Sequence, residues 1–297
     1  MYPFGKGMAR HLPLLLLLIP TALYVLLGFG PSMVTIVFSF TDATGIPGTE
    51  WHFIGWENYR TFFTASNADD QIKAIGRSLY FAFAVVLIQN AVALFVAVLL
   101  NRKLKGDVFY RATLFLPVVL GVTVSGLIWQ LVFNPMGGPV QRILKMFGTS
   151  SNFFGSYEVA FELIIFVQIW MYMGYSMTIF LAGLQAIPRD LYEAGYIDGA
   201  KGWTAFRHIT YPMIAPAVTV NMLLSIIGAL QTFDIIYVTT GGKFETSTLA
   251  WNVFAAAFGA TSADYGRASA IGMIQFVFVL IFAVAAMSYF RKREVEL

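Results

Sequence analysis

Two sets of residues in this sequence combine side-chain types and spacing suited to binding chemistry. Gln168, Met171, Tyr172 and Tyr175 follow i, i+3, i+4 and i+7, and so share one face of a helix. Further along, Asn221, Ser225, Gly228, Ala229 and Thr232 repeat that arrangement. Amides and hydroxyls supply hydrogen-bond donors and acceptors, and tyrosine rings supply flat apolar faces. Together they suit a solute with many hydroxyl groups on a ring. The same small and hydroxylated residues also join helices to one another in membranes, so a lining role and a packing role are both open. Gln89 and Asn90, in the middle of another apolar run, are read as packing contacts.

Other chemistries find little support. The three histidines (His11, His52, His208) are scattered and have no metal-ligand spacing, and there is no cysteine. No Gly-x-Ser-x-Gly elbow is present. Gly241-Gly242-Lys243 is followed by Phe244 and has no glycine five positions ahead of Gly242, so it is not a phosphate-binding loop. No catalytic residue and no metal or cofactor site is therefore expected in this chain. If ATP drives the protein, another subunit must bind it. Only Glu162 and Asp234 are ionisable within the apolar stretches, both near an end, which argues against a proton-coupled carrier. Sodium sites built from backbone carbonyls would escape that test.

The elements that must position these residues are membrane helices. The chain is 58% hydrophobic and 12% charged, with mean hydropathy +0.71, more apolar surface than a soluble core can hide. A net charge of +3 is too small to suggest nucleic acid as a partner; the partner implied is the lipid bilayer. Six stretches are predicted to span: 12–39, 78–100, 112–133, 159–184, 213–239 and 269–290. The first follows Lys6 and Arg10 and is read as a retained helix, not a cleaved signal. An even count puts both termini on one side. The ends and the loops at 101–111 and 185–212 hold twelve of the nineteen Lys and Arg residues, which predicts that both termini are cytoplasmic.

The loop at 185–212 is too ordered in composition to be a plain linker. Asp190 followed by Glu193 is the pattern of a capping box at a helix start, and Gly199 and Gly202 mark a turn before Trp203 opens a second helix. A helix–turn–helix on the cytoplasmic surface is predicted, with Ala194, Ile197, Ala200, Trp203, Phe206 and Ile209 on an apolar face.

This loop carries a resemblance. Glu193-Ala194-Gly195, Asp198-Gly199-Ala200 and Ile209-Thr210-Tyr211-Pro212 resemble the EAA loop of bacterial ATP-binding-cassette (ABC) importer permeases. Gly183 to Ala194 is similar to the carbohydrate, maltose-type branch. Arg111 to Pro117, and Phe233 through Gly241-Gly242, look like the first of its two permease subunits. Gly195, Tyr211 and Lys243 depart from the pattern, where the family has alanine, leucine and proline.

The resemblance implies an all-α membrane protein of maltose-permease-like fold, one permease domain over 1–297. It implies a second permease subunit, two ABC ATPase subunits that bind ATP and magnesium, and an extracytoplasmic solute-binding protein. Glu193, Ala194, Asp198, Gly199, Ala200 and Phe206 would form the loop that meets the ATPase. Glu193 would touch the partner or close the capping box, or do both, while Asp198-Gly199 shapes the turn. Gln168, Met171, Tyr172, Tyr175, Ser225, Ala229 and Thr232 would line the pathway of a sugar moved by alternating access across a bacterial cell membrane. Permeation of glycerol 3-phosphate or another polyol is the alternative, and an ion-coupled carrier a more distant one.

Overall fold

The computed structural model describes residues 16–46, 48–66, 68–102, 105–259 and 263–292. Lys6, Arg10, Lys103 and Arg293, and the first residues of the 12–39 span, lie outside the described residues. Among the described residues, regular structure is helical apart from isolated bridges between Thr41 and Phe53 and between Thr44 and Asp264. In chain order the helices are α1 (Leu16–Phe38), α2 (Glu57–Thr64), α3 (Ala68–Leu100), α4 (Asp107–Val132), α5 (Pro139–Met146) and α6 (Ala160–Gln185). They continue with α7 (Arg189–Ile197), α8 (Trp203–Met213), α9 (Ala215–Gln231), α10 (Asp234–Thr239), α11 (Leu249–Phe258) and α12 (Tyr265–Arg291). Five of them, α1, α3, α4, α6 and α12, are long and apolar enough to cross a bilayer, and α8 with α9 makes a sixth crossing if the bent pair is one span.

The stretch expected as a single span at 213–239 is instead broken twice. The axis turns by 69° between α8 and α9, where Pro216 occupies the first turn of α9. Proline has no N–H to donate and starts a helix more readily than it continues one. The second break is at Thr232, whose extended backbone (φ −69°, ψ 120°) separates α9 from α10.

By compactness the chain divides into two units: residues 1–68 with 253–274, and residues 69–252 with 275–297. In the first unit, α1 buries none of its side chains, so this apolar helix needs lipid around it. The segment after it is tied to α2 by Asn58, whose amide donates to the carbonyls of Ser39 (3.0 Å) and Thr41 (2.8 Å).

The second unit holds two apolar clusters. One joins Phe81 and Val85 of α3 to Ile164, Val167 and Met171 of α6, and to Ile235 and Ile236 of α10. The other joins Ala93 and Ala97 of α3 to Met177, Phe180 and Leu184 of α6, and to Ile214 and Val218. Numbers rise together along α3 and α6 but fall along the chain from α10 back through α9. Helices α3 and α6 therefore run in the same direction and α9 runs opposite, as alternating crossings of a bilayer require.

Helix α4 is also interrupted. Pro117 lies inside it, and Gly121 adopts φ 74°, ψ 165°, a region open in practice only to glycine. The Ser125 hydroxyl lies 3.5 Å from the Pro117 carbonyl freed by the break. Nothing stands within 4 Å of where a side chain at Gly121 would begin, so the constraint is purely one of backbone. Gly121→Ala is expected to cost about 1–3 kcal/mol, read as a lower thermal unfolding midpoint in detergent. An unchanged midpoint would mean that the break does not require glycine.

Candidate solute pathway and coupling loop

The breaks in α4 and after α9 lie beside a cavity of about 400 Å³. Six of the seven residues expected to line a pathway meet there: Gln168, Tyr172 and Tyr175 from α6, Ser225 and Ala229 from α9, and Thr232 just after it. Met171 does not. It is 1% exposed and packs in the first apolar cluster. Helical spacing alone did not separate it from its neighbours, because a 3.6-residue period spreads i and i+3 across a wide face.

The wall is held by hydrogen bonds between helices. Gln89 of α3 donates to the Ser176 hydroxyl (2.8 Å), and Asn221 of α9 donates to the Ser176 carbonyl (3.1 Å). Asn90 donates to the Ser225 hydroxyl at 3.1 Å, and Gln168 to the Thr232 hydroxyl at 3.4 Å. Thr232 sends its own proton to the Gly228 carbonyl. Gln89, expected only as a packing contact, both bridges helices and lines the cavity. The alternatives of packing and lining thus coincide: in a low-dielectric interior the same amide satisfies one helix and presents a polar edge to the space beside it.

Asp234, read from the sequence only as an acid near the end of a span, also lines the cavity: it stands at the start of α10, after the chain leaves helical geometry at Thr232. Its Oδ1 accepts the N–H of Ile235 (2.9 Å). The usable signal was its being an acid within an apolar stretch. Glu162, the other such acid, accepts the Tyr80 hydroxyl (2.9 Å) and is not among the lining residues. The short α10 is anchored by Gln130 of α4, which donates to the carbonyls of Val238 (2.6 Å) and Thr239 (3.0 Å) that a helix end leaves free.

At the far end of α6, α7 and α8 form the helix–turn–helix. Gly199 (φ 84°) makes the turn, the Ala200 N–H closes it on the Gly195 carbonyl (2.8 Å), and Asp198 caps α7. The tyrosine at 192 meets the Thr210 hydroxyl (3.0 Å) and ties the two helices. The expected capping box is not formed. Pro188 is the capping residue of α7 and no side chain caps it, so Asp190 lies in the first turn and Glu193 in the second. Glu193, Ala194, Asp198 and Gly199 are exposed, while Ala200 and Phe206 are partly covered. Phe206 stacks on Trp203 with ring centres 5.3 Å apart. Gly195 leaves room for Ile209, whose Cδ1 would lie 2.4 Å from an added Cβ.

The profile of the binding-protein-dependent transport system inner membrane component family matches residues 89–294, well over half of the chain. This chain belongs to that family. It is a multi-pass membrane permease, and the matched region contains the α7–α8 loop and every cavity-lining residue except Val85. Among curated relatives, the trehalose/maltose transport system permease protein MalF of Thermococcus litoralis is 34% identical over 98% of this chain and 96% of its own length. The fold matches, with a TM-score of 0.82, that of a bacterial ABC transporter involved in the import of the acidic polysaccharide alginate, at 22% identity over 97% of this chain and 98% of that one. A bacterial alginate ABC transporter in complex with an alginate pentasaccharide-bound periplasmic protein matches at TM-score 0.81 and 22% identity, over 95% and 94% of the two chains. The permease therefore has the ABC-importer fold expected of it.

Proposed function

We propose that this permease moves a sugar into the cell as one of two membrane subunits of an ATP-driven importer, with both termini cytoplasmic. The observation that carries the reading is the cavity: amides, hydroxyls and tyrosines from three helices surround it, and two of the adjoining segments are broken helices. Broken helices cost hydrogen bonds in lipid and are tolerated where they line a cavity or move. The near relationship to a trehalose/maltose permease supports a carbohydrate. Solute would enter from a binding protein on the outer face, a reading supported by the complex of the alginate transporter with its alginate-bound periplasmic protein. ATP and magnesium would be held by two partner ATPases, this chain supplying no catalytic residue.

Force would reach the cavity through α7 and α8. Ile197 is 83% and Trp203 72% exposed, an apolar tip that a partner subunit would cover. Helix α8 leads through the 69° bend into α9, which carries Asn221, Ser225 and Ala229 of the wall. A shift of the docked tip would thus rotate one side of the pathway.

The test is affinity purification from membranes followed by uptake in proteoliposomes. A second permease and an ABC ATPase should come with the chain, and ATP should drive uptake of a sugar presented by its binding protein. Recovery of the chain alone, with uptake driven by an ion gradient, would overturn the assignment.

A further inference from the structure

The permease fold accommodates neutral and acidic carbohydrates alike, since one fold neighbour imports an acidic polysaccharide. What this cavity accepts is decided by its own side chains. Asp234 is the single charged residue lining it among the described residues, and no lysine, arginine or histidine among them does so. Among the described residues, Asp234 forms no ion pair; its recorded hydrogen bond is the one from the Ile235 N–H to Oδ1. Two amide oxygens in the remaining polar wall have no partner. The amide nitrogen of Asn221 is committed to a carbonyl, which can only accept, so its Oδ1 is the end left over, buried and without a partner. The Gln168 Nε2 is committed to Thr232, whose own proton is engaged, and its Oε1 is likewise unpartnered.

We infer that Asp234 makes this cavity a charge filter, admitting uncharged, hydroxyl-rich sugars and rejecting phosphorylated or uronic ones. A sugar hydroxyl donates readily to a carboxylate. An anionic group in the same space would face a like charge, and no cation among this chain's described lining residues would offset it. The inference rests on the reading of this cavity as the sugar pathway.

The experiment is equilibrium binding to the complete complex in lipid nanodiscs, with the binding protein omitted so that only the membrane cavity selects. The probes are trehalose and maltose against their 6-phosphates. The wild type should prefer the neutral sugar by at least about tenfold. Asp234→Asn keeps the acceptor for Ile235 and should narrow that preference about tenfold by admitting the phosphate; the readout is the ratio of the two affinities in each variant, not the neutral-sugar affinity alone. Asp234→Glu should preserve the preference, and Asp234→Ser should lose it as the asparagine does. An unchanged preference in both uncharged variants overturns the filter and leaves the sugar pathway standing. If no neutral sugar binds the wild-type complex, the pathway reading falls and the filter falls with it.

Discussion

Alanine at Gly174 is expected to destabilise the permease by about 3 kcal/mol, the upper end of the range for overpacked interiors. Gly174 is where α6 rests directly on the backbone of α4. A Cβ there would lie 1.9 Å from the Leu114 carbonyl oxygen, 2.5 Å from its carbon and 3.0 Å from the Phe115 Cα. None of these atoms belongs to a side chain that can rotate away, so the two helices must part. Parting them would also displace Tyr175 and Gln168 from Val118 across the cavity. The thermal midpoint in detergent and the yield of assembled complex report the effect. Gly76→Ala is the matched comparison: that glycine is exposed on α3 with nothing within 4 Å of its Cβ position. It should gain about 0.5–1 kcal/mol from lost unfolded-chain entropy. A harmless Gly174→Ala would show that α4 and α6 are not held this closely.

Removing the carboxylate of Glu193 should do the reverse, sparing the fold and disabling transport. With no capping box formed, Glu193 has no capping role at the start of α7, and the side chain is exposed. Surface substitutions of that kind usually change stability by no more than about 0.5 kcal/mol. If the α7–α8 tip is the contact with the ATPase, Glu193→Ala should reduce ATP-driven sugar uptake at least about tenfold, since a lost charged contact is worth about 1.5–3 kcal/mol. Uptake by proteoliposomes, measured beside the unfolding midpoint, separates the two roles. Normal uptake would remove Glu193 from the coupling surface, and a large fall in midpoint would restore a structural role.

Much of the coupling loop was legible before any coordinates. Gly199 and Gly202 both take positive φ where the sequence put a turn, because that conformation costs other residues energy. The capping box was not legible in the same way. Its four-residue pattern is met at many helix starts, and Pro188 one position before Arg189 won the cap by its fixed φ. Gly195 departs from the family pattern, and only the position of Ile209 shows what the missing methyl makes room for.

Composition and apolar run length by themselves determined that this is a multi-helix membrane protein, because burying so many apolar residues requires lipid and continuous apolar runs of about 20 residues match a helix that crosses it. The order of polar residues along α6 and α9 likewise determined which side of each helix is polar. Tertiary structure alone decided which of those residues face the cavity. Met171 and Tyr172 are neighbours on one stripe, yet one is sealed in the apolar cluster and the other opens on the space, a distinction set by the helices around them. The break at Thr232 was equally hidden. Gln231, Thr232 and Phe233 include no strong helix breaker, so packing of α10 against α4 through Gly126 and Gln130 sets that bend and brings Asp234 to the cavity.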